Sequence, residues 1–280
     1  MKHKILMLLM LVACQSSAQK LTSYDQKGNK LKTVTEYVSL TVTNQPPISQ
    51  PAAPSSFIGV VLGPVYNIAS GLVKDGIEKR KKSYVATYSN SSSFNSDELN
   101  RVGQKKRLIL KRYAINDLGG LKESNLMAEY TFLLLPSTAP DQLEIQLETI
   151  LLKRSKARYH ADNNLSIGIT IKTSARQKKS SVQENDEDTK LETLSGEGLI
   201  NIPILKVNND PQNLGENEDI INKIRLKDIN FKTLIDIQFA ISITETNISH
   251  IDPGIAQNLV TNNSSDLQTI LKAIFKVNDK

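Results

Sequence analysis

The sequence predicts a mainly β protein: an antiparallel β-sandwich of about eight strands, with one helix before the sandwich and a short C-terminal helix. Three observations predict it. Apolar and polar residues alternate with a period of two over most of residues 84–249, as in Leu143, Ile145 and Leu147 against Glu144, Gln146 and Glu148. The segments between these runs are mostly of hairpin length, and no helical pattern separates successive strands as a parallel sheet requires. The two stretches that repeat at helical spacing lie outside this block, one before it and one after it.

The chain opens with Lys2 and Lys4, then Ile5 to Ala13, an uncharged apolar run. A permanent membrane span takes ~20 apolar residues, so the run is too short for one and has the grammar of an export signal. Leu11-Val12-Ala13-Cys14 resembles the lipobox of bacterial lipoproteins. The resemblance implies cleavage before Cys14 once its thiol is acylated, leaving a palmitate-type anchor in the membrane. Cys14 is the one cysteine of 280 residues. A lone thiol in an exported protein makes no internal disulfide, and acylation accounts for its presence. Each buried methylene contributes ~0.8 kcal/mol, so two or three acyl chains hold firmly where one does not. The competing reading cuts after Ala18, discards Cys14 and leaves a secreted protein. With the lipid, the expected address is membrane-anchored in the periplasm or at the outer membrane.

Residues 14–56 read as a tether, an N-terminal hairpin and strand, and a Pro-rich linker. Tyr24 to Asn29 is similar to one unit of the YD-type repeats of some bacterial surface proteins, but only one copy occurs, and the preferred reading is a plain hairpin turn with Gly28 and Asn29 tolerating positive φ. Val38, Leu40 and Val42 alternate with Ser39, Thr41 and Thr43 as a strand. Pro46, Pro47, Pro51 and Pro54 exclude a helix or central strand over the following stretch.

Residues 57–83 are expected to hold an apolar helix with a basic end. Ser55 to Val73 carries no charge, and Lys79, Arg80, Lys81 and Lys82 follow it. Val65, Ile68, Ala69, Leu72, Val73 and Ile77 fall on one helical face, with Pro64 suited to the first turn. The alternative is a membrane-contacting segment through Phe57, Ile58, Val61, Leu62, Leu72 and Val73 with the four basic residues beside them.

Within 84–249, Tyr84, Ala86 and Tyr88 begin a strand that is expected to give way to a Ser/Asn loop through Ser96. Leu108 and Leu110 share a face, as do Ala128, Tyr130, Phe132 and Leu134. The alternation of Leu143 to Leu147 slips at Ile150-Leu151-Leu152, the sign of a bulge, and is expected to resume with Ser155, Ala157 and Tyr159. Leu165, Ile167, Ile169 and Ile171 form the next inward face. A charged loop over Lys178 to Lys190 and a bend at Gly196 and Gly198 precede an edge strand from Leu199 to Val207. Ile235, Ile237, Phe239, Ile241 and Ile243 alternate most cleanly. Residues 250–280 are a loop and an amphipathic helix, with Ser264 or Ser265 as cap and Leu267, Ile270, Leu271, Ile274 and Phe275 on one face.

Function is bounded mainly by what is missing. Net charge is +6 and falls to +4 without the signal lysines, and no aromatics interleave with the basic residues, so nucleic acid is not an expected partner. Tryptophan is absent. No nucleophile elbow, phosphate loop or zinc spacing occurs, and no cofactor, metal or catalytic residue is assigned. His160 and His250 read as surface histidines, and Glu184 to Glu192 as a solvated acidic loop. The basic residues at 105–107, Lys111, Arg112, Arg154, Lys156 and Arg158 read as a solvated outer sheet face, or as a surface for anionic partners. The expectation is an exported, lipid-anchored cell-envelope protein whose sandwich binds an envelope protein partner without catalysis. The alternatives are a secreted membrane-active protein and a carbohydrate-binding or carbohydrate-processing sandwich.

Overall fold

The computed structural model describes residues 23–25, 27–30, 35–43, 63–64, 83–99, 105–115, 125–136, 142–160, 165–178, 191–214, 223–227, 229, 233–252 and 255. They form a mainly β protein of two antiparallel sheets with little helix. The strands are β1 (Thr35–Thr43), β2 (Gly63–Pro64), β3 (Val85–Asn95), β4 (Lys106–Ile115), β5 (Leu126–Pro136), β6 (Gln142–Leu152), β7 (Leu165–Lys178), β8 (Leu191–Leu205), β9 (Gln212–Asn213), β10 (Lys223–Lys227) and β11 (Leu234–Asn247). One short helix, α1 (Ser96–Leu99), follows β3.

The first sheet runs β10-β6-β5-β4-β1-β2, with β9 also on β6, and the second runs β3-β11-β7-β8. The alternation read from the sequence sets the inward face of each long strand. Leu108 and Leu110, then Ala128, Tyr130, Phe132 and Leu134, then Leu143, Ile145 and Leu147 are buried in the first sheet. Leu165, Ile167, Ile169 and Ile171, with Ile237, Phe239, Ile241 and Ile243, are their counterparts in the second. All belong to one core that draws on both sheets. At about 1.5–3 kcal/mol for each fully buried aliphatic or aromatic side chain, this core is the dominant stabilising term. The slip in β6 is also present: its buried side shifts from Leu147 to Ile150, and pairing with β5 loses register between Thr131 and Phe132.

Several expectations are corrected. The Ser/Asn run after Tyr88 is strand, since β3 continues to Asn95 against β11. Small polar residues give no apolar signal, yet their backbone groups complete the ladder of a central neighbour. Residues 153–160 are an irregular segment with a single bridge from Ser155 to Tyr24, rather than a resumed strand. Pro64 pairs with Tyr37 in extended backbone, not in a first helical turn. Strand β8 begins at Leu191, so Gly196 and Gly198 lie inside it. The short strands β2, β9 and β10 were not foreseen, and they raise the number of strands above eight. Apart from Gly63 and Pro64, the expected helix of 57–83 lies outside the described residues, as does the C-terminal helix beyond Ile255.

The two glycines of β8 are spacers. A Cβ on Gly198 would stand 2.0 Å from Ile224 Cγ2, and one on Gly196 2.8 Å from Leu226 Cδ2. Ile224 and Leu226 of β10 therefore settle onto bare backbone, where the edges of the two sheets approach. Gly198→Val is expected to destabilise by about 1–3 kcal/mol, as overpacking does, while Thr193→Val on the exposed side stays within about 0.5 kcal/mol. Urea unfolding of the two variants checks this.

Candidate functional site

The densest polar cluster lies inside, at the end of the sheets where β4, β1, β11 and the 153–160 segment meet. Even-numbered positions of β4 point inward, so the period that buries Leu108 and Leu110 also buries Arg112. Its guanidinium is fully buried, 3.3 Å from Glu36 Oε1 of β1 and 3.5 Å from Glu245 Oε1 of β11. Nη2 also donates to the carbonyl of Arg154. Lys156 Nζ lies 3.5 Å from Glu36 Oε2. Two cations thus face two carboxylates with no net charge.

Hydrogen bonds saturate most of the cluster. Glu245 Oε2 accepts from Ser155 Oγ at 2.7 Å and from the backbone N–H of Lys156 and Ala157 at 2.5 and 3.2 Å. Tyr88 donates to Glu245 Oε1 at 2.8 Å, leaving its oxygen to accept from Tyr130, 2.9 Å away. Ser23 Oγ donates to Glu36 Oε1 at 2.5 Å and brings in the segment before the hairpin. Arg112 also lies over the Tyr88 ring, 4.9 Å from its centroid. Burial opposes the charge on Arg112, but Glu245 and then Glu36 outweigh it and hold its pKa above the usual arginine value. Burial pulls Lys156 down from the usual lysine value, with Glu36 opposing. Burial, then Glu245, push Tyr88 well above the usual phenol range and raise Tyr130 too.

Arg112 and Lys156 therefore correct the reading of a basic outer face. Several outward cations of the first sheet are partnered as well. Arg107 makes a two-point contact with Glu148 at 2.6 and 3.0 Å, Lys111 lies 3.0 Å from Glu129, and Arg225 lies 3.3 Å from Glu144. Cross-strand pairing of this kind consumes positive charge that an anionic partner would need.

His160 and His250 are both exposed, and the fold brings them together. Their ring centroids are 6.2 Å apart, and His250 stacks on Tyr84 at 4.1 Å. Arg158 also lies over the Tyr84 ring, 5.5 Å from its centroid. Their sequence separation hid the cluster. The hairpin beside it is as expected: Asp25 accepts from the N–H of Lys27 and Asn29, and Gly28 takes φ 75°. No group of three or more metal-ligating side chains occurs among the described residues.

Cys14 lies outside the described residues, as do Phe57, Ile58, Val61, Leu62, Leu72, Val73, Lys79, Arg80, Lys81 and Lys82. Among the described residues no helix is long and apolar enough to cross a membrane. Sequence reasoning missed the Arg112, Glu36, Glu245 and Lys156 cluster. The available signal was Arg112 at an inward position of β4, where strict alternation places a cation in the core.

Arg112→Met leaves two carboxylates with one counterion, and a loss of about 3–5 kcal/mol is expected in denaturant unfolding. The tyrosines set the alkaline limit. Their folded pKa values lie above the unfolded value of 10.0, so the folded state keeps protons that the unfolded chain releases, and stability falls as pH rises past 10. Lys156 acts with the opposite sign below 10.5, where its lowered pKa favours the folded state as pH rises. Urea midpoints measured from pH 8 to 11 should show the decline above 10, and Tyr130→Phe should make it shallower. No protein-family model, curated protein or solved structure matches this chain.

Proposed function

We propose that the chain is an exported, lipid-anchored cell-envelope protein, held through acylated Cys14, whose two sheets form a β-sandwich that binds a protein partner. The shared core and the close approach of β1 to β3 and of β8 to β10 support the sandwich. The ionisable cluster supports a role without catalysis: its charges neutralise one another, and its carboxylates are fully buried beside Arg112. A substrate would have to break the core to reach them. The same burial weighs against Glu36 and Glu245 as a glycosidase pair.

Strand β8 is the observation that carries the binding role. It stands at the edge of the second sheet, paired to β7 alone among the described residues. Leu191, Leu199 and Ile204 are the large exposed hydrophobics of the described residues, and all three lie on it. Soluble proteins blunt such edges with charge, proline or a covering segment, and an uncovered apolar edge is a template for a partner's strand. Glu197 and Pro203 blunt β8 only in part.

Two measurements test the reading. Mature protein mass and membrane fractionation, wild type beside Cys14→Ala, should show acyl mass and pelleting that the variant loses. A start at Gln19 without lipid would overturn the anchor. A photo-crosslinking residue at position 199, in cells, should give one discrete adduct to another envelope protein, and the same residue at exposed position 225 should give none. Equal or absent adducts would overturn the role of β8.

A further inference from the structure

The outer face of the second sheet is an anomaly. Pairing places Ser93, Gln238 and Ser174 in one row, then Ser91, Ala240 and Lys172, then Ser89, Ser242 and Thr170, then Thr87, Thr244 and Gly168. These side chains point away from the core, since Tyr88, Ile241 and Ile169 point into it. A polar outward face belongs in water. Yet Ser89, Gln238, Ser242, Thr170 and Thr244 are each only 1% exposed. Ser89 Oγ, Gln238 Oε1 and Ser242 Oγ are buried without a hydrogen-bond partner. Water would satisfy those atoms, so something that offers no hydrogen bonds covers them.

The cover has limits. It spans β11, β7 and the part of β3 from Val85 to Ser89, fades through half-buried Ser91 to exposed Ser93, and stops at β8, whose outward Thr193, Ser195, Glu197 and Leu199 are exposed. Three strands spaced about 4.8 Å apart make a strip about one helix wide. From Thr246 to Gln238 the strip is about 27 Å long, the length of a helix of about 18 residues.

We propose that the C-terminal segment, residues 256–280, is this cover: it lies along the outer face of the second sheet with its apolar side down. After β11 the chain turns back at 248–251, and Ile251 and Ile255 pack against Val85. Val85 is the outward residue of the row it shares with Thr246, so the chain already stands on this face when it reaches Ile255. Twenty-five residues remain beyond that point, enough to run the strip's length. Leu267, Ile270, Leu271, Ile274 and Phe275 supply an apolar side that cannot satisfy the buried hydroxyls. The segment before β3 is the rival cover, but its end is directed elsewhere: the Ser83 carbonyl accepts from the Arg158 N–H, and Tyr84 stacks on His250. The inference is independent of the lipid anchor and of the role given to β8.

Thiol accessibility tests it in a Cys14→Ala background, which leaves no other cysteine. Ser242→Cys is nearly isosteric and should react slowly with a water-soluble maleimide in the full chain, at a rate independent of protein concentration. Ending the chain after Ile255 should raise that rate about tenfold or more, as should Leu267→Asp with Ile270→Asp in the full-length chain. Ile241→Cys, pointing into the core, should stay unreactive in both, which separates uncovering from unfolding. Protection that survives both changes, or that fades on dilution because a second copy provides it, overturns the proposal. Should both altered chains expose Ile241→Cys as well, disulfide trapping in the intact chain decides it. A bond from Ser242→Cys to Ile270→Cys supports the proposal, and a bond only to Leu72→Cys overturns it.

Discussion

The ion pairs of Arg112 with Glu36 and Glu245 hold this structure in a single arrangement. Apolar faces give the two sheets reason to meet, but hydrophobic burial is non-directional and tolerates sliding. A guanidinium buried between strands from different sheets does not. Slippage by one residue would carry Arg112 to the outside and leave two carboxylates in the core, because strand side chains alternate faces. Lys156 closes the electrostatic balance, and Ser155 with two backbone N–H groups holds Glu245 in place. The irregular 153–160 segment is thus fixed by what it donates rather than by a ladder of its own.

Outside that cluster the protein follows a consistent logic. The first sheet ties down several of its outward charges in cross-strand pairs, while the second presents hydroxyls and small side chains outward. Two edges that would stand about 10 Å apart in stacked sheets approach more closely where β8 gives up side chains at Gly196 and Gly198. Beside that corner β8 stays paired to β7 alone among the described residues.

How much of this was legible depended on the kind of signal. Long strands with Ile, Leu and Val on one face, such as β7 and β11, were plain, because burial of one face imposes a period of two. Strand β3 beyond Tyr88 was not, since Ser89 to Ser93 pair through backbone and announce nothing in their side chains. Lys223 to Lys227 alternates, but five residues with two apolar positions do not stand out from a polar stretch. The Arg112 cluster was half legible: its position in the strand was readable, but partners 76 and 133 residues away become neighbours only through the fold. The histidine group was hidden for the same reason.

The hairpin at Tyr24 to Lys30 sets a leash length. Tyr24 is bridged to Ser155, and the Tyr159 hydroxyl donates to the Asp25 carbonyl, so the hairpin is pinned to the body of the protein there. Eight residues, and so nine Cα–Cα steps, separate that pinned point, at Ser23, from Cys14. Fully extended, they reach about 30 Å, no more than the thickness of the bilayer's hydrocarbon layer. Were Cys14 acylated, a domain on so short a leash could not tumble freely over that anchor. With Cys14 acylated, the end bearing Tyr24, Arg158, His160 and His250 would stay nearest the lipid headgroups.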